Sequence, residues 1–286
     1  MHWSRLAALA AAPLAALLFA FPAAAQKDGK DKEFEPHVGQ AGKDVIWVPT
    51  PDEVVERMLR MAQVGANDYV IDLGAGDGKI AIMAAKKFGA RSMGIEYNPD
   101  MAKLAQRNAE KAGVAGRARI VQGDIFVSDF TQASVITMYL LPALNLKLRP
   151  QLLAMRPGTR VVSHSFNMDD WEPDETSSMD GRRAYFWVVP ANVAGTWAFE
   201  ATGGGAAEKS ELTLEQRYQK LEGSIGLGQV QAGLRDTRLR GFTIAFSFVD
   251  GNSVRRDLTG RVSGNRMEGS FRADNGTEGR WTATKK

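Results

Sequence analysis

The sequence predicts an α/β fold with a mainly parallel, doubly wound sheet, followed by a small C-terminal all-β domain that is barrel- or sandwich-like. Between residues 45 and 191, short apolar strands alternate with helical segments. This alternation is typical of a parallel sheet with helices on both faces. After Pro190 the apolar residues change to strand spacing. We therefore place a first domain at residues 45–191 and a β-rich accessory domain at residues 192–286.

Composition excludes several classes of function. The chain has 286 residues, of which 44% are hydrophobic and 24% are charged, as in ordinary globular proteins. The formal net charge is +3 and no long basic run is present, so nothing indicates nucleic acid as a partner. The absence of cysteine excludes disulfides, thiolate metal sites and thiol catalysis. The three histidines form no cluster with metal-ligand spacing, and we predict no metal site.

The N-terminus has the pattern of a secretory signal peptide. Arg5 precedes an apolar stretch at residues 6–21, and Ala23 and Ala25 give the small residues of a cleavage site. We expect a cleaved signal peptide at residues 1–25 and export, most simply to the periplasm; the alternative is an anchor formed by the uncleaved leader. Residues 26–44 are polar and predict a flexible linker, with ordered structure beginning near Val45.

The elements of the first domain follow in order. Thr50 is the expected N-cap of a first helix, with Pro51 at its first position and Glu53 as the capping-box partner. Apolar periodicity then predicts strands at residues 69–73, 92–96, 118–121, 134–140, 159–163 and 184–189, and helices at residues 80–88, 100–112 and 144–155.

The C-terminal part has the alternation of half-buried strands. Phenylalanine and isoleucine alternate with smaller residues at 242–248, and turn signals stand at residues 250–251 and 263–265. Further short strands are expected around residues 212–214 and 267–271. Because Gly-Thr-Trp at 195–197 resembles Gly-Arg-Trp at 279–281, we expect the first and last strands to pair and close the sheet.

A glycine-rich loop follows the first strand and is the sharpest motif in the chain. Its sequence places Gly78-Lys79 before Ile80, whereas a P-loop requires Ser or Thr there. A dinucleotide fingerprint requires a small residue where Lys79 stands. Besides these two alternatives, the loop is a structural turn or a nucleotide-binding loop of another kind. Its candidate binding residues are Asp72, Gly74, Ala75, Gly76, Asp77 and Gly78.

Acidic residues end the next two strands. Glu96 ends the second strand, beside Tyr97, and an acid there accepts hydrogen bonds from both ribose hydroxyls of a nucleotide. Asp124 follows the third strand as a candidate acceptor for an adenine amino group, with Ile125 flanking the ring. Because open α/β sheets bind ligands at the carboxyl ends of their strands, these residues are expected to form one site with the glycine loop.

At these residues the chain resembles the class I S-adenosylmethionine-dependent methyltransferases. A narrower resemblance joins Val-Pro-Thr-Pro at 48–51, the glycine loop at 72–80, Gly-Ile-Glu-Tyr-Asn-Pro at 94–99, Arg-Val-Val-Ser at 160–163 and Asp-Trp-Glu-Pro-Asp at 170–174. These motifs are similar to those of the mitochondrial protein-lysine methyltransferases that modify the ATP synthase c subunit and the adenine nucleotide translocase, and of their bacterial relatives. The resemblance implies a Rossmann-like methyltransferase sheet, S-adenosylmethionine as cofactor and a lysine ε-amine as acceptor.

Residues for the acceptor side are less sharply indicated. The Asp/Asn-Pro-Pro-Tyr/Phe motif of many amide and base N-methyltransferases is absent, and Met-Tyr-Leu-Leu-Pro at 138–142 takes its place. Tyr139 is a candidate to line the acceptor slot, or else a partly buried strand aromatic. His164 is a candidate contact for acceptor or cofactor, or else a satisfied structural histidine. Asp170 and Trp171, with their neighbour Asp169, are candidates for the slot wall, and Thr50 for the methionine carboxylate end of the cofactor.

Three functions remain open on the sequence. They are a protein-lysine N-methyltransferase, a small-molecule methyltransferase, and a non-catalytic scaffold that keeps the fold to support the β domain. An open acidic slot would favour lysine in a protein as the acceptor. An apolar channel would favour a small-molecule acceptor, and a filled cofactor pocket would favour the non-catalytic scaffold. No segment after the leader is apolar enough to cross a membrane. Because the members of the family that the chain resembles are membrane-associated, peripheral association with a membrane is a further expectation.

Overall fold

The computed structural model describes residues 34–203 and 207–286. The predicted signal peptide, the first part of the predicted linker and the three residues 204–206 lie outside the described residues. The described part of the linker, residues 34–44, enters a loop whose main chain is hydrogen-bonded from Gly39 to Trp47. Regular hydrogen bonding therefore begins before Val45, the residue at which the sequence predicted ordered structure, because the loop closes on itself.

The first part of the fold is an α/β sheet with helices on both faces, as predicted. Within the described residues its elements are α1 Asp52–Met61, β1 Tyr69–Leu73, α2 Lys79–Phe88, β2 Arg91–Glu96, α3 Pro99–Lys111, β3 Ala118–Gln122, β4 Val135–Met138, α4 Pro142–Leu153, β5 Arg160–His164, β6 Glu175–Met179 and β7 Arg182–Val188. The strand order is β3-β2-β1-β4-β5-β7-β6. The first five strands are parallel, and β7 is antiparallel to both of its neighbours.

Alternate residues of each central strand serve the two faces of this sheet. Val70 and Val162 pack with the apolar side of α1, and Ile71 and Val161 pack on the opposite face with residues of α4. All four side chains are at most 1% exposed. The uninterrupted apolar strands of the sequence are thus explained by burial on both faces, which is the usual environment of parallel strands.

The start of α1 differs from the sequence prediction. The N-cap is Pro51, and no side chain caps the helix. The Thr50 hydroxyl instead lies 3.2 Å from Nδ1 of His164. Asp52 and Glu53 occupy the first turn, where their charge is favourable towards the helix dipole. The predicted capping box was therefore wrong, because the threonine has a tertiary partner.

Strand β6 was missed from the sequence. Four of its five residues, Glu-Thr-Ser-Ser-Met, are polar, and all five are exposed or partly exposed. The strand lies at the edge of the sheet and pairs with β7 alone. An edge strand with a solvent-facing side needs no apolar period, so the pattern that identifies the central strands is lacking.

The second sheet is antiparallel and forms a nearly closed, barrel-like C-terminal region. Among the described residues its strands are β8 Gly195–Thr202, β9 Glu208–Arg217, β10 Lys220–Leu227, β11 Val230–Gly233, β12 Arg235–Arg240, β13 Thr243–Val249, β14 Arg255–Ser263, β15 Arg266–Ala273 and β16 Glu278–Lys285. The order is β11-β10-β9-β8-β16-β15-β14-β13-β12. The turns predicted at 250–251 and 263–265 connect β13 to β14 and β14 to β15.

The first and last strands of this sheet pair, as predicted, but their pairing does not close it. Strand β8 pairs with β16 in the middle of the order and joins two meanders. The sheet approaches closure at its other ends, where the amide of Leu234 donates to the carbonyl of Gly223 and the Thr237 hydroxyl donates to that of Leu221. Trp281, 1% exposed, packs in the barrel interior against Phe199 and Phe246.

Direct contacts connect the two sheets. The Ala191 amide donates to the Gly241 carbonyl over 2.7 Å. Gly158 stands against the ring of Phe242, which a Cβ at this position would meet at 2.8 Å. Residues 34–286 accordingly form one compact unit, and the division into two domains at residue 192 stays a prediction. Across the described stretches, we find no helix with the length and apolarity needed to span a membrane.

Candidate functional site

A cavity of about 320 Å³ lies at the carboxyl ends of the parallel strands. It is lined by the loops that follow β1, β2, β3 and β4 and by the segment before α1. Of the predicted cofactor residues, the lining includes Thr50, Asp72, Gly74, Ala75, Gly76, Asp77, Glu96, Tyr97, Asp124 and Ile125. Residues that the sequence singled out in separate motifs are thus placed by the fold around one cavity.

The glycine loop is a tight turn between β1 and α2. Gly74, Gly76 and Gly78 all have positive φ, at 78°, 54° and 81°. These conformations are strained for residues with a Cβ, so the glycines are required by the backbone itself. Gly78 is not part of the cavity lining. It is the N-cap of α2, in the left-handed conformation, and it packs against Ala105. This predicted binding residue therefore shapes the turn and the start of α2 and does not face the cavity.

Glu96 is fixed by the backbone around it. Its Oε2 accepts from the Gly76 amide and its Oε1 from the Asn98 amide, each over 2.9 Å. Burial raises the pKa of Glu96, and the amides of Asn98, Gly76 and Tyr97 act in the opposite direction. Each carboxylate oxygen has a further lone pair. The side chain is therefore immobile and retains the capacity to accept two more hydrogen bonds.

Two further carboxyl groups stand in the same partly desolvated region. Asp72 is 1% exposed, and its Oδ1 accepts from the Thr137 hydroxyl over 2.7 Å. Burial raises the pKa of Asp72 to about 7, against the effect of this hydrogen bond, and the charges of Asp77 and Glu96 raise it further. Burial also raises the pKa of Asp77. Such clustering of perturbed acids in a cleft is typical of a functional site.

Asp124 already has partners at both carboxylate oxygens. Oδ2 lies 2.7 Å from Nζ of Lys43, and Oδ1 accepts from the Phe126 amide over 2.9 Å. These two hydrogen bonds, that of Lys43 first, lower the pKa of Asp124. Neither oxygen is saturated by one donor. Lys43 also stands 4.8 Å from the ring centre of Tyr97, which is half exposed at the cavity mouth.

On the acceptor side, only one of the two predicted catalytic residues lines the cavity. Tyr139 is partly buried and lines the cavity together with Phe166. His164 is 2% exposed, is not part of the cavity lining and lies behind Tyr139, with the ring centres 4.1 Å apart. Burial, then the charge of Arg182, lowers the pKa of His164 to about 4, so the ring is neutral at pH 7. Its Nε2 is buried without a partner in the described residues.

The residues predicted to wall the acceptor slot have another role. Asp170 and Trp171 are absent from the cavity lining. Asp170 is hydrogen-bonded to Arg217 at the end of β9, to Tyr218 in the turn between β9 and β10, and to Arg149, and these bonds, that of Arg217 first, lower the pKa of Asp170. Trp171 is fully buried and stacks on Tyr218. The Asp-Trp motif thus connects the two sheets. Trp171 does not line the acceptor slot because its side chain is packed among apolar residues in the interior.

Sequence reasoning missed part of the lining. Residues 40–48 line the cavity, although the first five of them lie in the segment predicted as linker. Residues 40–44 have no apolar period, so composition alone gave no signal for this part of the loop. Buried Asn145 was also missed. Its Nδ2 lies within 3.3 Å of the Ser163 hydroxyl and of the carbonyls of Phe166 and Asn167, and it fixes the loop after β5. A polar residue on the buried side of α4 was the available signal.

Comparison with known proteins agrees with this geometry. The model of the ANTKMT methyltransferase domain matches residues 72–175. A protein-lysine N-methyltransferase of Saccharolobus islandicus is 47% identical over 151 residues, which are 51% of this chain and 94% of that protein. The mouse lysine N-methyltransferase of the ATP synthase c subunit is 28% identical over 180 residues, covering 57% of this chain and 72% of that protein.

A solved structure is similar over the same half of the chain. It is an RNA methyltransferase from Salinibacter ruber in complex with S-adenosyl-L-homocysteine, with 50% identity and a TM-score of 0.50, covering 51% of this chain and 96% of that chain. Fold and site together define a class I S-adenosylmethionine-dependent methyltransferase. More narrowly, the chain belongs to the family of the ANTKMT methyltransferase domain.

Proposed function

We propose that this methyltransferase N-methylates the ε-amine of lysine in a protein. The observation that carries the proposal is the charge of the open cavity. Its lining includes five carboxyl groups, those of Asp44, Asp72, Asp77, Glu96 and Asp124, against the two amines of Lys43 and Lys79. An excess of acid favours a cationic cofactor and a cationic side chain. The Saccharolobus islandicus and mouse relatives, both named as lysine N-methyltransferases, support the same acceptor.

The residues of the cavity suit S-adenosylmethionine. The fixed carboxylate of Glu96 is proposed to accept from the ribose hydroxyls, and Asp124 with Ile125 and Tyr97 to hold the adenine end. The bare backbone of Gly74, Ala75 and Gly76 permits close approach of a ligand. We assign Asp72, Asp77 and Thr50 to the methionine end, because they line the cavity beside this loop.

Methyl transfer from a sulfonium to an amine is an in-line displacement with an excellent leaving group, supplied by the cofactor. The protein therefore has chiefly to align the amine and to keep it deprotonated. Tyr139 and Phe166 form an aromatic wall, with ring centres 6.4 Å apart, that suits the alkyl stem of lysine. His164 lies behind this wall and is proposed to position Tyr139.

A test compares acceptors with one labelled cofactor. The full-length chain is incubated with methyl-labelled S-adenosylmethionine and, separately, with a lysine-rich protein, the same protein after complete lysine acetylation, and total RNA. Incorporation into the unblocked protein is expected, and it should be lost on acetylation, which removes the nucleophilic amine, and in Glu96→Ala. Incorporation into RNA alone would overturn the lysine proposal in favour of the activity named for the Salinibacter ruber structure. Label on small molecules only would favour the small-molecule alternative.

We also propose that the mature enzyme is exported, after cleavage before Gln26. The leader pattern of residues 1–25 supports this. Mass spectrometry of the N-terminal peptide of the protein from its native host is expected to show a chain that begins at Gln26, with or without cyclisation of that glutamine to pyroglutamate. A chain beginning at Met1 in the membrane fraction would favour the uncleaved anchor.

Peripheral membrane association is supported by exposed Ile46, Val48 and Leu141 at the cavity mouth. Co-sedimentation of the mature chain with anionic vesicles tests it, and no binding at low salt would refute it.

A further inference from the structure

The loop before α1 is a closed structure that borders the cavity. The Gly39 amide donates to the Trp47 carbonyl and the Trp47 amide to the Gln40 carbonyl, each over 2.9 Å. The Gly42 amide also donates to the Val45 carbonyl. Every residue from 40 to 47 lines the cavity. We call residues 39–47 the N-terminal loop.

At one end of this loop, Trp47 lies directly on the glycine loop. A Cβ at Gly76 would stand 2.6 Å from Nε1 and 2.9 Å from Cδ1 of the indole. Such distances leave no room for any side chain at Gly76, so the indole and the bare backbone are complementary. The same Gly76 amide donates to Glu96, the proposed ribose acceptor. Trp47 is thus packed against the segment that defines the cofactor site.

At its tip, the N-terminal loop is fastened to the opposite side of the cavity. Nζ of Lys43 is 2.7 Å from Asp124 Oδ2, after β3, while Trp47 contacts the turn after β1. The hydrogen bond to Asp124 is the largest cause that raises the pKa of Lys43. The loop therefore reaches across the mouth from the β1 turn to the β3 turn, between which β2 and Glu96 lie.

We propose that Trp47 is a cofactor-binding residue, and that the Lys43–Asp124 ion pair holds the N-terminal loop over the bound cofactor. The proposal rests on the S-adenosylmethionine dependence of the family. A tryptophan face is the best aromatic partner for a cation, and the cofactor is a sulfonium. S-adenosylhomocysteine, the product, lacks that charge. Trp47 should therefore contribute more to the affinity for the substrate form than for the product form.

Titration calorimetry of the full-length chain with each of the two ligands tests this difference. Trp47→Leu is expected to weaken S-adenosylmethionine binding about tenfold, as the loss of a partly desolvated cation–π contact predicts, and S-adenosylhomocysteine binding distinctly less. Trp47→Phe, which keeps a ring, should recover part of the difference. Val38→Ala is the matched control, since Val38 is an exposed apolar residue just before the loop, does not line the cavity and should leave both affinities unchanged.

Fluorescence gives a readout that is independent of affinity. Trp171, Trp187, Trp197 and Trp281 are at most 1% exposed, whereas Trp47 is partly exposed. Trp3 lies outside the described residues and is replaced by Phe in every variant. Acrylamide should then quench chiefly Trp47, and S-adenosylhomocysteine should protect it. Lys43→Met should speed the dissociation of this ligand in stopped-flow measurements, while Lys86→Met, at an exposed lysine of α2, should not.

The possible failures are distinguishable. Equal affinities of Trp47→Leu and the wild type for both ligands, or unchanged quenching at a saturation that calorimetry confirms, would overturn this inference and leave the methyltransferase function intact. If the folded wild-type chain bound neither ligand, both the inference and the proposed function would fall. An unchanged dissociation rate in Lys43→Met would overturn the fastening role of the ion pair.

Discussion

Raising the pH from 6 to 7.5 should strengthen the binding of S-adenosylmethionine about eightfold, if Asp72 binds the cationic cofactor in its ionised form. Burial raises the pKa of Asp72 to about 7 in the absence of ligand. The carboxyl group is then roughly 9% ionised at pH 6 and roughly 76% ionised at pH 7.5. Because only the ionised fraction attracts the cofactor, the apparent affinity should follow that ratio.

The sign follows from linkage. The free protein holds a proton on Asp72 up to about pH 7, and the cationic ligand must displace it. Binding therefore releases a proton at pH 6 and releases progressively less above pH 7. Calorimetry in two buffers of different ionisation enthalpy measures this release directly. Burial also raises the pKa of Glu96 and Asp77, so these groups act in the same direction.

Asp72→Asn is the matched variant, because an amide oxygen preserves the acceptor for the Thr137 hydroxyl. Its affinity should be weaker and nearly independent of pH over this range, apart from the titration of the cofactor's own α-amino group, which occurs at about 7.7–8.0 in model compounds. Asp100→Asn, at an exposed acid in the first turn of α3, controls for general charge effects. A pH dependence in Asp72→Asn as steep as in the wild type would refute the reasoning.

The remaining predictions concern stability and loop geometry. Between pH 7 and 5 the free energy of unfolding should fall about 2 kcal/mol more in the wild type than in His164→Gln. The reason is that His164 has a pKa of about 4 in the folded chain and therefore takes up its proton over this range only on unfolding. Urea titrations at both pH values measure the difference, and equal changes in the two proteins would contradict it. Gly94→Ala should destabilise by about 1–3 kcal/mol and weaken cofactor binding, since its Cβ would stand 2.6 Å from that of Ala75 in the glycine loop; unchanged calorimetric affinity would exclude this coupling. Trp281→Ala should cost about 3–5 kcal/mol in urea unfolding, because a buried ring between Phe199 and Phe246 is lost, and a cost below about 1 kcal/mol would show that the barrel interior collapses without strain.

The central strands were predictable because burial on both faces leaves a continuous apolar signal. Residues such as Val70, Ile71 and Val135 are fully buried, and their runs stand between clear turns. Strand β6 gave no such signal, because it lies at an edge and is polar. The pairing of β8 with β16 was predictable from a repeated motif. The position of this pair in the middle of the sheet depends on where the two meanders end, and the similarity of two short motifs carries no information about that.

The cofactor side of the site was predictable for a topological reason. Parallel strands bring their carboxyl ends to one edge, so residues far apart in sequence, such as Asp72, Glu96 and Asp124, meet there regardless of detailed packing. Thr50, His164 and Asp170 required the tertiary structure, since each has a partner on a distant segment. The same holds for Lys43, whose partner is 81 residues away.

The buried acids explain why this site suits a positively charged cofactor. Keeping Asp72 ionised at pH 8 costs the free protein about 4 kcal/mol relative to an exposed carboxyl group, as its raised pKa implies. Thr137 offers one hydrogen bond but no positive charge, and Asp77 and Glu96 add repulsion. A neutral residue would make the folded chain more stable at this position. A cationic ligand offsets the cost when it binds, so the affinity of the site and the strain of the free protein have the same origin.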